Sequence, residues 1–402
     1  MTSKNLDTLN SFLQKTTDDL HKWASSNGLS FSSHKTKAIT FSSKRKTPPP
    51  CTIKLNNSLI QTCQNIKILG MTLDRKLSWK VHVENLKIKG QNSLNVIKMT
   101  AHTKWGGSRD CLKNLYFSLT LSKLDYGSII YDSAKPNLLY KLNTVQNSAL
   151  RLITGAMYTS PIASLHAESN ILPLQYRRKF LTLKYLAKIT TKPSNPTHHR
   201  TVHPNFTQLY QNKDNSPKPI GIRYKKLLQV LDFQLPPNTT NELETPPWLM
   251  NYRTKKQKDH KIKKQDKKWA HLARKAIQTT WQKEWQNSYS TSKLYKIKPV
   301  LKDWKSSYRE KRREEVILAR LRIGHSLATH KHLFEKTQTP ICETCRENLT
   351  IEHILTSCKN YEIQREQNHL KDKTLPQILA DDEGAIQNLL KFMEESELAD
   401  IL

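Results

Sequence analysis

The spacing of apolar residues at the start of the chain predicts a helix followed by short strands. In the segment 4–26, apolar residues recur three, four and seven positions apart at Leu6, Leu9, Leu13, Leu20 and Trp23. Apolar and polar residues then alternate, which is typical of half-buried strands. We predict a strand at 36–42, a hairpin at 51–61 that turns at Asn56-Asn57, and a further strand from Asn65 to Asp74.

Helical spacing dominates after Leu77. We predict helices at 79–103, 109–123, 137–154 and 173–190, which are long enough to pack as a small bundle. The third has the clearest apolar stripe, made of Leu138, Leu142, Val145, Ala149, Leu152 and Ile153. The chain has only 10 glycines, which also argues against a turn-rich all-β fold. The predicted fold class is therefore α+β and mostly helical.

Prolines and lysines mark the middle of the chain. Periodicity fades between 191 and 250, where nine prolines cluster, and the run from Lys255 to Lys268 contains eight lysines. We interpret 191–268 as a linker. The lysine run is a solvated face, a nucleic-acid contact or a nuclear address, and the sequence does not separate these alternatives. Helical spacing resumes from Trp269 to Trp285, and an acidic helical stretch runs from Asp381 to Leu402.

The charge of the chain indicates a polyanionic partner. Its 402 residues include 66 Lys and Arg against 34 Asp and Glu, a net charge of +32. Such an excess favours nucleic acid or an acidic membrane surface. No apolar run has the length of a membrane-spanning helix, so we favour nucleic acid. The segment Met1 to Ser11 lacks the apolar core of a secretory signal. With six cysteines, three of them in one short segment, we predict a reducing intracellular compartment, nuclear or cytoplasmic.

A possible metal site lies between Cys342 and Cys358. The spacing is C-x2-C-x7-H-x4-C, with Cys342, Cys345, His353 and Cys358 as the ligands. Two cysteines three positions apart can face one ion from a tight turn, and the other two ligands are about one helical turn apart. Three Cys and one His form a standard structural zinc set. The alternative is three unpaired thiols near a surface histidine. We predict a zinc knuckle.

A basic segment precedes this knuckle. Its apolar residues Val316, Leu318, Ala319 and Ile323 can form one helix face, with arginines on the other sides. A basic helix beside a zinc knuckle is suited to contact phosphates. A solvated helix with paired Glu and Arg explains the charge pattern equally well. The candidate nucleic-acid contacts are Lys35, Arg309, Lys311, Arg312, Arg313, Arg320 and Arg322.

Several blocks, in their order along the chain, resemble a known family. They are Trp23 with Asn27-Gly28-Leu29-Ser30-Phe31-Ser32 and Lys35-Thr36-Lys37; Ile68-Leu69-Gly70-Met71-Thr72-Leu73-Asp74 with Leu77-Ser78-Trp79 and His82; Ser122-Lys123-Leu124-Asp125-Tyr126-Gly127-Ser128; Gln146-Asn147-Ser148-Ala149-Leu150-Arg151 with Thr154-Gly155-Ala156; and Arg312–His325 with the knuckle. Over about 1–190 and 275–365 the chain resembles the downstream part of the reverse-transcriptase polyprotein of jockey-like non-LTR (LINE-type) retrotransposons.

The resemblance implies an arrangement of domains. It implies a residual polymerase palm and primer-grip region at 1–75, a thumb-like helical domain at 76–190, a Pro- and Lys-rich linker without ribonuclease H at 191–268, basic helices and a CCHC zinc knuckle at 269–365, and an acidic helical tail at 366–402.

The resemblance also bears on catalysis. Nucleotide addition needs metal ions held by carboxylates, which the family places in a Tyr-Ala-Asp-Asp turn. That turn is absent from this sequence. We assign Asp18-Asp19 to the first helix and Asp381-Asp382 to the acidic tail, both without a catalytic role. Lys35 matches a palm lysine that the family uses near the leaving pyrophosphate, but it has no metal site beside it here. Mg²⁺ is therefore expected only for an intact polymerase.

Three hypotheses about function remain. The first is a polymerase fragment that binds RNA and single-stranded or hybrid nucleic acid and does not polymerise alone. The second is a chain whose gene model starts too late, so that the whole protein is active. The third is a non-enzymatic, zinc-dependent RNA or single-stranded DNA-binding protein derived from the element. No membrane partner is expected, and the oligomeric state is open.

Overall fold

The computed structural model of the protein describes residues 6–42, 44–46, 48–192, 195–205, 207–211, 218–234 and 252–400, with the backbone alone described at 211, 252–266 and 400. Its helices are α1 Leu6–Ser26, α2 Lys80–Thr100, α3 Arg109–Leu115, α4 Ser122–Asp125, α5 Ser128–Tyr131, α6 Pro136–Thr154, α7 Ile162–Ser169, α8 Leu174–Thr190, α9 His198–Val202, α10 Thr207–Gln211, α11 Ile220–Leu231, α12 Tyr252–Tyr289, α13 Lys293–Ile297, α14 Arg312–Ile323, α15 Leu327–His330, α16 His332–Glu335, α17 Ile351–Thr356, α18 Glu362–Gln367, α19 Leu375–Leu379 and α20 Glu383–Glu395. Its strands are β1 Lys37–Ala38, β2 Lys54–Leu55, β3 Ser58–Leu59, β4 Gln61–Thr62, β5 Asn65–Ile68 and β6 Met71–Asp74.

This architecture is mostly helical with few strands, in agreement with the predicted α+β class. The further assignment to a polymerase palm and thumb stays a prediction, as do the domain boundaries. Within the described ranges, no helix combines the length and the apolar character needed to cross a membrane.

Three small ladders make up the strand region. Strands β2 and β3 pair around Asn56-Asn57, whose φ angles of 50° and 59° form the reversal, so the predicted hairpin is confirmed. Strand β1 pairs in parallel with β4 and is shorter than predicted. The single strand predicted from Asn65 to Asp74 is wrong, because β5 and β6 form an antiparallel hairpin there. The chain reverses at Leu69-Gly70, where Gly70 has a φ of 81°, which glycine adopts at little cost.

The largest apolar core lies between α2, α3, α6 and α7. Helices α2, α6 and α8 occupy the predicted segments, whereas the predicted helix 109–123 is divided into α3, a π-helical turn and α4. On α6, Leu142, Val145, Ala149 and Ile153 are buried as predicted. Helix α2 crosses α6 closely, because a Cβ added at Gly90 would lie 2.9 Å from Val145 Cγ1. The periodicity of α6 therefore identified the face that forms the core.

The segment predicted as a linker contains helices in its described parts, namely α9, α10, α11 and the beginning of α12. Apolar residues of α11 pack with α8 and α12 in a second core. Pro236, Pro237, Pro246 and Pro247 lie outside the described residues. The lysine run falls within α12, where the side chains are described only from residue 267 onward.

The C-terminal region forms a third core from α13, α14, α17, α19 and α20. The acidic tail takes part in it, because Ile386, Leu389, Phe392 and Met393 are fully buried. Asp382 caps α20 by accepting a hydrogen bond from the Ala385 backbone N at 2.7 Å. We refer to residues 293–398 as the C-terminal module and to the helices from α2 to α7 as the bundle.

Candidate metal centre and basic surface

A tight turn brings Cys342 and Cys345 together. The backbone N of Cys342 donates to Glu347 O at 2.8 Å, and the backbone N of Arg346 donates to Cys342 O at 2.8 Å. Arg346 adopts a left-handed conformation with a φ of 59°, which closes the turn. These backbone hydrogen bonds form the turn that brings the two thiols close to each other.

Helix α17 positions the other two ligands. Thr350 caps the helix, and its side chain accepts from the backbone N of His353 at 3.0 Å. The chain leaves the helix directly afterwards, and the Cys358 backbone N donates to His353 O at 2.8 Å. His353 and Cys358 are both buried. A short capped helix therefore presents this half of the motif, as the spacing predicted.

The four ligand atoms fit a tetrahedral ion. The sulfurs of Cys342, Cys345 and Cys358 and a ring nitrogen of His353 all lie within 4.8 Å of one another. Two sulfurs bound to zinc at about 2.3 Å in tetrahedral geometry are about 3.8 Å apart. Here Cys342 Sγ and Cys358 Sγ are 3.7 Å apart. This cluster is able to hold a metal ion.

The surroundings of His353 support the same conclusion. Its Nδ1 lies 3.1 Å from Glu347 Oε2 and 3.3 Å from Ser357 Oγ. Its Nε2 is buried and has no hydrogen-bond partner in the described part of the chain. A carboxylate on one ring nitrogen commonly orients a histidine whose other nitrogen binds a metal. A buried nitrogen without a partner costs stability, and a metal ion would remove that cost.

The thiols are electrostatically unequal. Backbone hydrogen bonds, chiefly from Cys345, lower the pKa of Cys342 below its ordinary value. Burial and the nearby sulfurs raise the pKa of Cys358 to about 11. One thiolate therefore forms readily, while further deprotonation places like charges side by side. A divalent cation would relieve that repulsion.

The predicted nucleic-acid contacts occupy different environments. Lys35 is exposed in a turn of the strand region, and Lys311 is 75% exposed at the start of α14. Arg309 is half-buried and pairs with Glu314 and Glu383. Arg313 is half-buried on α14. Contact between these residues and nucleic acid stays a prediction.

Arg312 and Arg320 bind the end of α6. Arg312 donates to Ile153 O at 2.8 Å and to Leu152 O at 2.9 Å. Arg320 donates to Gly155 O at 2.9 Å. The last carbonyl groups of a helix lack partners within it, and cationic side chains satisfy them. These two arginines therefore attach the C-terminal module to the bundle.

Arg322 lies inside the protein. It is fully buried over the Trp304 ring and donates to Ser307 Oγ and Ser306 Oγ, each at 2.8 Å. Arg312 is also buried, with 4% of its surface exposed. The prediction that the arginines lie on the sides of the helix away from its buried face is therefore wrong for Arg312 and Arg322. Both guanidinium groups face buried polar partners instead of solvent. Only the tertiary structure supplies those partners, so the apolar spacing of α14 did not reveal them.

Two buried glutamates organise this junction. Glu168 on α7 pairs with Arg109 at 2.9 Å, and Arg322 Nη1 is 4.0 Å away. Burial would raise the pKa of Glu168, but Arg109, Lys298 and Arg322 outweigh it and lower the pKa below its ordinary value. Glu315 pairs with Arg312 at 3.1 Å and also accepts from the Arg109 backbone N at 2.7 Å.

This network was not anticipated from the sequence. Glu168 lies in the short stretch Leu165 to Ser169, in which the structure buries every residue. A carboxylate in such a position requires a charged or hydrogen-bonding partner. The identity of that partner was not readable from the chain, because Arg109 and Arg322 are far away in sequence.

Three curated relatives are similar to part of this chain. The RNA-directed DNA polymerase from mobile element jockey of Drosophila melanogaster is 26% identical over 192 residues, 48% of this chain and 21% of that protein. The probable RNA-directed DNA polymerase from transposon X-element of the same species is 26% identical over 152 residues, 37% of this chain and 16% of that protein. The jockey polymerase of Drosophila funebris is 23% identical over 182 residues, 45% of this chain and 20% of that protein.

The chain thus spans about a fifth of the length of the curated relatives it matches. No protein-family model matches it, and no solved structure matches it either. The predicted resemblance is nevertheless confirmed, because these relatives are named as RNA-directed DNA polymerases of mobile elements. Over about half of its length, the chain is related to the RNA-directed DNA polymerases of jockey-like non-LTR retrotransposons.

Proposed function

We propose that this chain is the nucleic-acid-binding, C-terminal part of a retrotransposon RNA-directed DNA polymerase, and that its Cys3His cluster holds a structural zinc ion. The observation that carries the proposal is the closed ligand set, in which Cys342, Cys345, His353 and Cys358 lie within 4.8 Å of one another. The net charge of +32, together with relatives named as RNA-directed DNA polymerases, favours nucleic acid as the partner.

Zinc is the metal that this ligand set suits best. Three sulfurs and one nitrogen in tetrahedral positions are typical of structural zinc, whereas magnesium and calcium prefer oxygen ligands. Four protein ligands leave no position for water or substrate, so the ion would have a structural role. It would fix the turn at Cys342–Cys345 against α17 and compensate the thiolate charges. All six cysteines are free thiols, which is consistent with a reducing compartment.

The proposed partner is RNA or single-stranded DNA, bound mainly through phosphates. Binding of that kind weakens steeply with salt, because lysines and arginines displace condensed counterions. In a longer protein, we propose that the chain supports RNA-directed DNA synthesis, with Mg²⁺ held elsewhere. We do not propose polymerisation by this chain alone, since its sequence lacks the Tyr-Ala-Asp-Asp turn.

A second candidate is a non-enzymatic, zinc-dependent RNA or single-stranded DNA-binding protein derived from the element. Its support is the structural use of one Asp pair: Asp381 accepts from Ser306 Oγ at 2.8 Å, while Asp382 caps α20. Sequencing the transcript across Met1 distinguishes the two candidates. An open frame that continues upstream into a Tyr-Ala-Asp-Asp turn favours the polymerase, and a frame that starts at Met1 favours the binding protein.

The metal and the nucleic acid are tested together on the full chain. Metal analysis of the purified protein is expected to give about one zinc per chain. Cys345→Ser should lose that zinc and bind single-stranded RNA more weakly, while Cys111→Ser, which changes an exposed cysteine outside the cluster, should behave as wild type. Equal zinc content in wild type and Cys345→Ser contradicts the metal centre. The absence of salt-dependent RNA binding contradicts the nucleic-acid partner.

A further inference from the structure

One surface of the protein combines an exposed tyrosine ring and two half-buried histidine rings with cations, where the bundle meets the C-terminal module. We define it as the junction surface. It consists of Arg151, Tyr158, Lys293, Arg320, His325 and His330. A role for this surface rests on the proposed function and extends it. The surface would hold single-stranded nucleic acid at a place other than the metal centre.

The loop after α6 displays Tyr158. Its side chain is 78% exposed, and the Arg151 guanidinium lies 5.3 Å from the ring centroid. The loop is held against α14, because Arg320 donates to Gly155 O and a Cβ added at Gly155 would lie 2.4 Å from Val316 Cγ2. Tyr158 is therefore an exposed ring on a firmly attached loop, with a cation beside it.

A pair of stacked rings lies on the neighbouring C-terminal module. His325 and His330 stack with centroids 3.8 Å apart and an interplanar angle of 18°. His325 Nδ1 lies 3.3 Å from the hydroxyl of Thr159, the residue next to Tyr158. Both modules therefore contribute rings to the same surface.

The electrostatic surroundings of these rings are cationic. Burial, together with His330 and Lys293, lowers the pKa of His325 to about 4. Burial, with Lys293 and His332, lowers the pKa of His330 to about 4. Both imidazoles are therefore neutral at physiological pH, and the positive charge of this surface comes from its lysine and arginine side chains. Such a surface attracts an anion and offers it flat rings.

We propose that the junction surface binds single-stranded nucleic acid, with a base stacked on Tyr158 and phosphates near Lys293 and Arg151. Exposed aromatic rings with flanking cations bind single strands in this way, because every base has a π face and every linkage a negative charge. A duplex keeps its bases stacked internally and does not offer them to Tyr158. An acidic peptide satisfies the cations but not the ring.

The test compares matched variants of the full-length chain. Binding of labelled oligouridylate is followed by fluorescence anisotropy for Tyr158→Ala, Tyr158→Phe and Tyr140→Ala. Tyr140 is a suitable control, because it is 60% exposed on α6 and outside the junction surface. Tyr158→Ala should weaken binding by about 5- to 100-fold. Tyr158→Phe should bind as wild type, because stacking needs the ring and not the hydroxyl.

Three further probes separate stacking from charge. Tyr158→Ala should not change binding of an abasic oligonucleotide, of duplex RNA or of polyglutamate. Lys293→Ala should make the negative slope of log affinity against log salt concentration less steep by about 0.7 for a single strand. An equal effect of Tyr158→Ala on polyglutamate and oligouridylate overturns the proposal in favour of an acidic protein partner.

The two proposals can fail separately. If the wild-type chain binds oligouridylate in a manner that depends on Cys345, but Tyr158→Ala matches Tyr140→Ala, then only the junction surface is refuted. If the wild-type chain does not bind oligouridylate, both the proposed function and the junction surface are refuted. Circular dichroism on each variant establishes that the fold is retained, which the exposure of both tyrosines favours.

Discussion

Replacing Glu168 with glutamine should destabilise the protein more than any surface charge change. The carboxylate is fully buried, with Arg109 at 2.9 Å and Arg322 at 4.0 Å. Glutamine keeps the shape and one acceptor oxygen but removes the buried negative charge that interacts with Arg109, Arg322 and Lys298. Removing one partner of a buried ion pair costs about 3–5 kcal/mol. We expect Glu168→Gln to lose stability in this range.

A surface pair provides the matched control. Glu84 lies 3.1 Å from Lys141 Nζ, and both side chains are 40% exposed. Breaking such a pair costs about 0–1 kcal/mol, because water screens the charges. Urea denaturation followed by far-UV circular dichroism gives both losses from the same transition. A loss for Glu168→Gln no larger than that for Glu84→Gln refutes the role of the buried network.

The pH dependence provides an independent check. The pKa of Glu168 is lowered from its ordinary value of 4.5 by Arg109, Lys298 and Arg322 despite its burial. A lowered pKa in the folded state means that the stabilisation is fully present above pH 4.5 and is lost as the pH falls through the lower, folded value. The difference in stability between wild type and Glu168→Gln should therefore shrink in acid. A difference that stays constant down to strongly acidic pH contradicts this account.

Three further changes test other parts of the structure. Glu347→Gln should weaken zinc affinity by about 10- to 100-fold, because the carboxylate orients His353. Zinc affinity is measured by competition with a chromogenic chelator, and wild-type affinity for the variant would contradict this. Gly155→Ala should cost about 2–4 kcal/mol in urea denaturation, since Gly155 has a φ of 67° and a Cβ would strike Val316; a neutral result would show that α14 can shift. Burial lowers the pKa of Lys298 from 10.5 to about 8, so its charged form destabilises the folded state below pH 8. Wild type should therefore gain stability relative to Lys298→Met as the pH rises from 8 towards 10.5. Thermal unfolding temperatures of the two proteins that change in parallel across that range would contradict this.

Features that depend on residues close together in the chain were predictable from the sequence. The ligand cluster was predictable because all four ligands lie between Cys342 and Cys358, so spacing alone constrains their geometry. The positions of α2, α6 and α8 followed from apolar periodicity, and the hairpin at Asn56-Asn57 followed from residues that tolerate positive φ. The order of short sequence blocks was sufficient to reveal the relationship to jockey-like polymerases.

Which charges are buried and which helix faces pack together depends on contacts between residues far apart in the sequence. Arg312 and Arg322 look like solvent-facing cations on α14, yet they are buried because Glu315, Glu168 and the end of α6 supply partners there. The reversal at Leu69-Gly70 was missed because a continuous apolar alternation reads equally well as one strand or two. A buried charge is stable only beside a counter-charge, and a folded chain brings that counter-charge from any distance along the sequence. Local spacing therefore predicts elements and metal ligands, whereas the docking of the C-terminal module on the bundle could be seen only in the folded structure.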